Sequence, residues 1–378
     1  MKAFVGAKIF TGKEWLYNGT LIIDEGKIKK VLRRRRIPKN VEVINVKDRF
    51  ITPGLVDAHT HLGMVEEGAG KDYADLNEST NPSTPDIRAI DGFYPMDAAI
   101  KEARSSGITT VYITPGSSNP IAGIGAVVKL KEGYLKDMVL KEVAGLKLSF
   151  GENPKSTYGA KGKKPITRMA IAAIIREAFY KAKTYCNKRR GKEKNTEYET
   201  LCLALKKEIP VRAHAHRKDD ILTALRIAEE FDLSIIIDHC TEGHLATEEI
   251  KGVKNLRGCI SGPHMYFPWK VELKHNSFKN PGILSKSGLS VAITSDHPFT
   301  PIKYLNLYAA LAHKEGMDEL DALKSITINP AILLGIDKSV GSLERGKDAD
   351  FVIWSGHPFD IKTEATQVYI EGKSIVKE

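Results

Sequence analysis

Pro53-Gly54-Leu55-Val56-Asp57-Ala58-His59-Thr60-His61 is an apolar run that ends in two histidines one residue apart. On a strand, alternate side chains share a face, so His59 and His61 point one way while Ala58 and Thr60 point the other. Imidazole is a common ligand for zinc, manganese and iron, and two imidazoles from one strand make a rigid half of a metal site. A chance His-x-His in an exposed loop is the competing reading. The rest of the chain decides against it.

Four further apolar runs end in a ligand-type residue: Ala144 to Glu152, Ile209 to His214 and His216, Leu233 to His239, and Leu289 to Asp296. Short β-branched runs that alternate with helical stretches indicate parallel strands with helical crossovers. In a closed parallel barrel the strand C-termini open onto one face, and functional residues collect there.

With these runs on the page, the sequence resembles the amidohydrolase superfamily, metal-dependent hydrolases built on a distorted (β/α)8 barrel. The resemblance spans nearly the whole chain. Its pattern is matched in order by Asn18 to Ile28, by the Pro-Gly-Leu-Val-Asp-Ala-His-Thr-His run, and by Gly341-Ser342-Leu343-Glu344-Arg345-Gly346-Lys347-Asp348-Ala349-Asp350 through Trp354. Asn119-Pro120-Ile121-Ala122-Gly123 to Lys129 and the Thr294-Ser295-Asp296-His297-Pro298 turn look like the imidazolonepropionase and prolidase-like dipeptidase branch.

The resemblance implies two or more divalent ions, zinc or manganese, bound residue by residue. His59 and His61 would hold the more buried ion, His214 and His239 the second, and Asp296 would ligate the buried ion and shuttle a proton. The family bridges its ions with a carboxylated lysine or a glutamate, and both Lys147 and Glu152 are on offer. Glu152 is preferred because it stands at the strand end, with carboxylated Lys147 the alternative. A lysine buried in an apolar strand is costly unless modified or paired.

Further imidazoles exceed what two ions require. His216 shares the face of His214 and is open to three roles: hydrogen bonding to substrate, support of a ligand, or a place on a third ion. His264 and His297 also follow strand ends and are assigned to substrate binding, and Trp269 and Lys270, after the seventh strand, either line the pocket or simply pack the loop. His244, His275, His313 and His357 lack such a context and read as surface or packing residues.

The expected reaction is hydrolysis of a C–N bond in a small cyclic or linear amide: a lactam, an N-acyl amino acid or a dipeptide. One alternative is a deaminase, but many family deaminases carry His-x-x-Glu on the fifth strand, and position 217 here is Arg217. The other is a non-catalytic metal-binding homologue, which the filled ligand positions argue against. Arg212 and Arg217 are candidates for binding a substrate carboxylate, against the plainer reading of solvated loop arginines.

The 378 residues suffice for a barrel of about 250 plus a smaller appended layer. Short strand-like runs at both ends, in residues 1–53 and 341–378, are expected to pair into one small β-sandwich with the barrel, residues 54–340, inserted between them. Residues 153–200 break the strand–helix rhythm with a basic insertion suited to a lid or an oligomer contact, so a homo-oligomer is admissible. The net charge of +10 is concentrated around Arg33 to Arg36 and Lys181 to Lys194 without interleaved aromatics, so solvated faces are expected and nucleic acid is not a partner. Apolar runs fall short of the roughly 18 residues of a membrane span. No signal peptide is evident at Met1, and Cys186, Cys202, Cys240 and Cys259 lack disulfide-type spacing, so a reducing, cytoplasmic setting is expected. Gln367 is the only glutamine among abundant lysine and glutamate, a bias that points to thermostability.

Overall fold

The computed structural model describes residues 1–34, 40–187 and 193–376. Arg35 and Arg36 of the arginine run, and residues 188–192 of the second basic stretch, lie outside the described residues. Among those described, no helix is long and apolar enough to cross a membrane.

Both chain ends build one eight-stranded sheet. Lys2–Phe10, Trp15–Asp24, Lys27–Leu32, Glu42–Asn45 and Phe50–Pro53 join Phe351–Trp354, Ala365–Ile370 and Lys373–Val376. The seam is antiparallel, with Ile51 opposite Ile353. Phe351 stacks on Tyr369 at 4.4 Å, and Phe4 meets both edge-on at 5.0 and 5.2 Å. Each end thus covers an apolar face that the other exposes.

The second sheet is the barrel. Its strands run in chain order: Leu55–Thr60, Ile108–Ile113, Ile121–Lys129, Val139–Ser149, Val211–Ala215, Ile235–His239, Leu256–Ser261 and Val291–Ile293. One correction to the expected parallel arrangement arises: Ile121–Lys129 is antiparallel to both neighbours. A parallel return needs a crossover of a dozen or more residues, and the turn over 114–120 is too short to supply it.

Asp57 ties the first strand to the turn after the eighth. Thr294 Oγ1 lies 2.6 Å from both Asp57 Oδ1 and the His59 carbonyl oxygen, while the Ser295 N–H and Oγ–H donate to Asp57 Oδ2 at 3.0 and 2.6 Å. Burial raises the Asp57 pKa against these hydrogen bonds. Within the barrel, Val56, Ala58, Tyr112, Val127, Ile236, Ile260 and Ala292 pack together. Arg212 sits over the Tyr112 ring at 4.1 Å. Gly125 and Gly145 make that possible: a Cβ at Gly125 would stand 2.3 Å from the Tyr112 hydroxyl, and one at Gly145 2.9 Å from Arg212 Cγ.

Helices cover the barrel where the apolar periodicity predicts them. Asp97 caps Ala98–Ser105 through the Ala99 N–H, and Asp318 caps Glu319–Lys324 through the N–H groups of Leu320 and Asp321. Lys218–Glu230 buries Ile221, Ala224, Leu225 and Ala228, a single helical stripe. The insertion between the fourth and fifth strands forms Glu152–Gly159, Arg168–Asn187 and Thr196–Leu205.

A second correction concerns the cysteines. Cys186 and Cys202 form a disulfide, with Cα atoms 6.0 Å apart on two neighbouring helices of the insertion. Spacing along the chain carries no trace of that proximity. The disulfide removes the argument from cysteine usage for a reducing setting. Cys240 is buried and free, as is Cys259.

Candidate metal centre

The strand ends bring six ligand-type side chains into two groups. His59, His61 and Asp296 form one, and His214, His216 and His239 the other; within each group the ligand atoms lie within 4.8 Å of one another. The two groups adjoin, for the rings of His59 and His239 are 4.8 Å apart. No third such group occurs among the described residues.

Four of the five rings are held from behind. His61 Nδ1 lies 2.7 Å from the Thr114 carbonyl, His239 Nδ1 2.8 Å from the Gly262 carbonyl, and His216 Nδ1 2.8 Å from Thr241 Oγ1. Asp238 Oδ2 stands 3.0 Å from His59 Nδ1. Such contacts leave Nε2 of these four rings to face the site. Strain is stored at two of the six residues: His239 and Asp296 have φ of 69° and 53°, a left-handed region that costs a non-glycine residue about 1–3 kcal/mol. The turns after strands six and eight thereby aim both side chains inward.

The protonation states suit a cation. Burial lowers the pKa of His61, His214 and His239, and takes His216 down to about 3. Burial would raise Asp296, yet His239, His59 and His61 hold it well below the usual carboxylate range. Asp296 Oδ1 is buried, accepts no hydrogen bond, and lies 3.4 Å from Nε2 of both His59 and His61. Imidazoles that burial keeps neutral at His61, His214, His216 and His239, beside an ionised, unsatisfied carboxylate, are in the states in which divalent ions bind.

Lys147 reaches this centre from below. It is fully buried, with Nζ 3.4 Å from both His59 Nε2 and Asp238 Oδ2. Burial lowers its pKa against the attraction of Asp238 and Asp296. Its charge is felt in both groups, at His61 and at His214, His216 and His239. Glu152 is not brought to the centre. It opens the helix Glu152–Gly159, belongs to neither group, and its N–H donates to Glu272 Oε2 at 2.9 Å. The strand ends at Ser149, and Gly151, with φ of 85°, stands at the start of the helix that Glu152 opens.

A cavity of about 170 Å³ opens over the two groups, lined in part by Ser117, Asn153, Tyr266, Phe267, Trp269, Lys270 and Phe299. His264 and His297 do not line it. The His264 ring is occupied by Ser261 Oγ at 3.0 Å and Asn276 Oδ1 at 2.6 Å, which fixes the turn after the seventh strand. The His297 ring is buried behind the site, while its backbone carbonyl accepts the His61 N–H at 2.8 Å. Asp238 and Glu272 are the buried acids that the sequence reading passed over. Asp238 precedes a ligand-type histidine on its strand, a faint signal, whereas Glu272 lies in a loop that offers none.

A model of the amidohydrolase family matches residues 50–375, and a NagA composite domain model matches residues 1–51. The chain belongs to the amidohydrolase family. This amidohydrolase is 40% identical to a structurally characterised amidohydrolase from Thermotoga maritima, with each chain covered in full and a TM-score of 0.96. It is 28% identical to amidohydrolase tasK of Hapsidospora irregularis over 95% of its own length, but spans only 40% of that longer protein. It is also 25% identical to imidazolonepropionase of Thermoplasma volcanium, over 90% of this amidohydrolase and 84% of the relative. The family and the barrel with its separate end-built sheet are as the sequence led us to expect.

Proposed function

We propose that this amidohydrolase is a metal-dependent hydrolase that cleaves the C–N bond of a small lactam, N-acyl amino acid or dipeptide. The observation that carries the reading is Asp296: ionised, buried, unsatisfied at Oδ1 and equidistant from two histidines of the same strand.

Two divalent ions, zinc or manganese, would supply an activated water and a polarised carbonyl. His59, His61 and Asp296 would hold one of them, and His214 and His239 the other, with His216 as a further ligand. Lys147, whose Nζ reaches His59, would serve in place of Glu152. Its depressed pKa favours the free amine, which adds to carbon dioxide with loss of a proton and gives a carbamate with two oxygens and one negative charge. Asp296 accepts the proton of the attacking water and returns it to the leaving nitrogen. Asp238 and Arg212 keep the ring of His59 in place throughout.

The test is hydrolysis before and after metal exchange. Protein stripped by a chelator and reloaded with zinc or manganese is offered lactams, N-acyl amino acids and dipeptides. Metal-dependent release of amine and carboxylate supports the proposal. Ammonia from an amidine substrate would favour a deaminase, and a fully loaded but inert protein a non-catalytic homologue.

A further inference from the structure

Lys270 is the one lysine or arginine lining the cavity, and neither arginine weighed for a substrate carboxylate joins it. Arg212 is fully buried, donating to Asp238 Oδ1 at 2.6 Å and to the Ala58 carbonyl at 2.7 Å. Arg217 pairs with Asp219 at 2.9 Å and does not line the cavity. Lys270 does line it, with a side chain only 16% exposed.

Lys270 is held by neighbours that fix its direction. Its Nζ donates to Asn153 Oδ1, lies 3.6 Å from Glu272 Oε1, and sits 4.6 Å from the centre of the Trp269 ring. Glu272 is fully buried, and its Oε1 accepts no hydrogen bond. A buried carboxylate beside a buried ammonium offsets the desolvation of both, so this pair holds the charge at the cavity wall. An ammonium has three donors. Asn153 and Glu272 face two of them, which leaves one for a ligand.

The opposite chemistry lines the mouth. Phe267, Trp269 and Phe299 are 80%, 63% and 56% exposed, three large aromatic side chains around a polar pocket. Aromatic groups left in water beside a cavity mark a surface that an apolar ligand group covers. At about 170 Å³ the cavity itself has room for a fragment of roughly amino-acid size.

We infer that Lys270 receives a carboxylate of the substrate while the aromatic rim receives an apolar side chain beside it. The preferred substrates are then N-acyl derivatives of apolar amino acids, or dipeptides that end in one. The inference rests on the hydrolase reading for what is cleaved, while its binding half stands by itself. A charge-assisted hydrogen bond in a partly desolvated site corresponds to a preference on the order of tenfold to a hundredfold.

The experiment uses the metal-loaded protein in two arms. In the kinetic arm, N-acetyl-L-phenylalanine and N-acetyl-L-phenylalaninamide are compared by kcat/KM. We expect at least about a tenfold preference for the acid, collapsing in Lys270→Met and partly restored in Lys270→Arg. In the binding arm, calorimetry follows 3-phenylpropionate and 3-phenyl-1-propanol, neither of which has a C–N bond. The acid should bind about tenfold or more weakly to Lys270→Met at equal metal content, with the alcohol little changed. Lys270→Met combined with Glu272→Gln serves if the single variant unfolds. Equal affinity of 3-phenylpropionate for wild type and variant would overturn the inference, because the ions alone would then hold the carboxylate. Lys270-dependent binding without cleavage of any lactam, N-acyl amino acid or dipeptide would sink the hydrolase reading and leave the binding half of this inference standing.

Discussion

Asp238 places Oδ2 3.0 Å from Nδ1 of His59 while its Oδ1 accepts from Arg212 Nε and Nη2 at 3.0 and 2.6 Å. Burial would raise this carboxyl, but Arg212, His59 and Lys147 hold it well below its ordinary value. The ionised Asp238 fixes which nitrogen of His59 faces the site, and so determines how the first strand presents its imidazole.

Asp238→Asn should weaken metal binding by about 10–100-fold, the usual cost of losing a partner behind a metal-ligating histidine. Competition against a chelating indicator measures this. Wild-type affinity in the variant would reduce Asp238 to a packing residue.

Asp296→Asn should leave the fold intact, since Oδ1 accepts no hydrogen bond that the change would remove. Turnover should drop by roughly 10²–10⁴-fold because an amide cannot take the proton. Circular dichroism and kcat are read together, and near-normal kcat in a folded variant would place the proton transfer elsewhere.

Acid stability provides a third test. Lys13 at 2.7 Å and Lys347 at 3.1 Å hold Glu344 down to about 2, from an ordinary value of 4.5. A depressed folded pKa gives stability that is present above about 4.5 and lost as pH falls toward 2. Glu344→Gln should therefore lower Tm at neutral pH and flatten its fall between pH 4.5 and 2. A parallel downward shift of the whole curve would mean that the charge of Glu344 contributes nothing.

Most of the fold was legible because periodicity and strand-end residues report directly on it. His59, His61, His214, His216, His239 and Asp296 converge as strand alternation required. What the sequence concealed depends on three-dimensional proximity or on where a strand ends. Glu152 looked like a strand-end ligand, but the strand ends at Ser149 and Glu152 opens the helix that follows. Lys147 looked too deep, yet its long side chain spans the distance to His59. Lys270 was expected near a pocket, but nothing in the sequence announced its pairing with Glu272 of the 3₁₀ turn Val271–Leu273, nor the meeting of Cys186 and Cys202 across two helices.

Anomalous diffraction from metal-saturated crystals, collected above and below the zinc or manganese edge, tests the central claim most directly. The account predicts two peaks per chain at the barrel mouth, one among His59, His61 and Asp296 and the other among His214, His216 and His239. Difference density should extend from Lys147 Nζ toward both. Active crystals without a peak at either group would contradict the account.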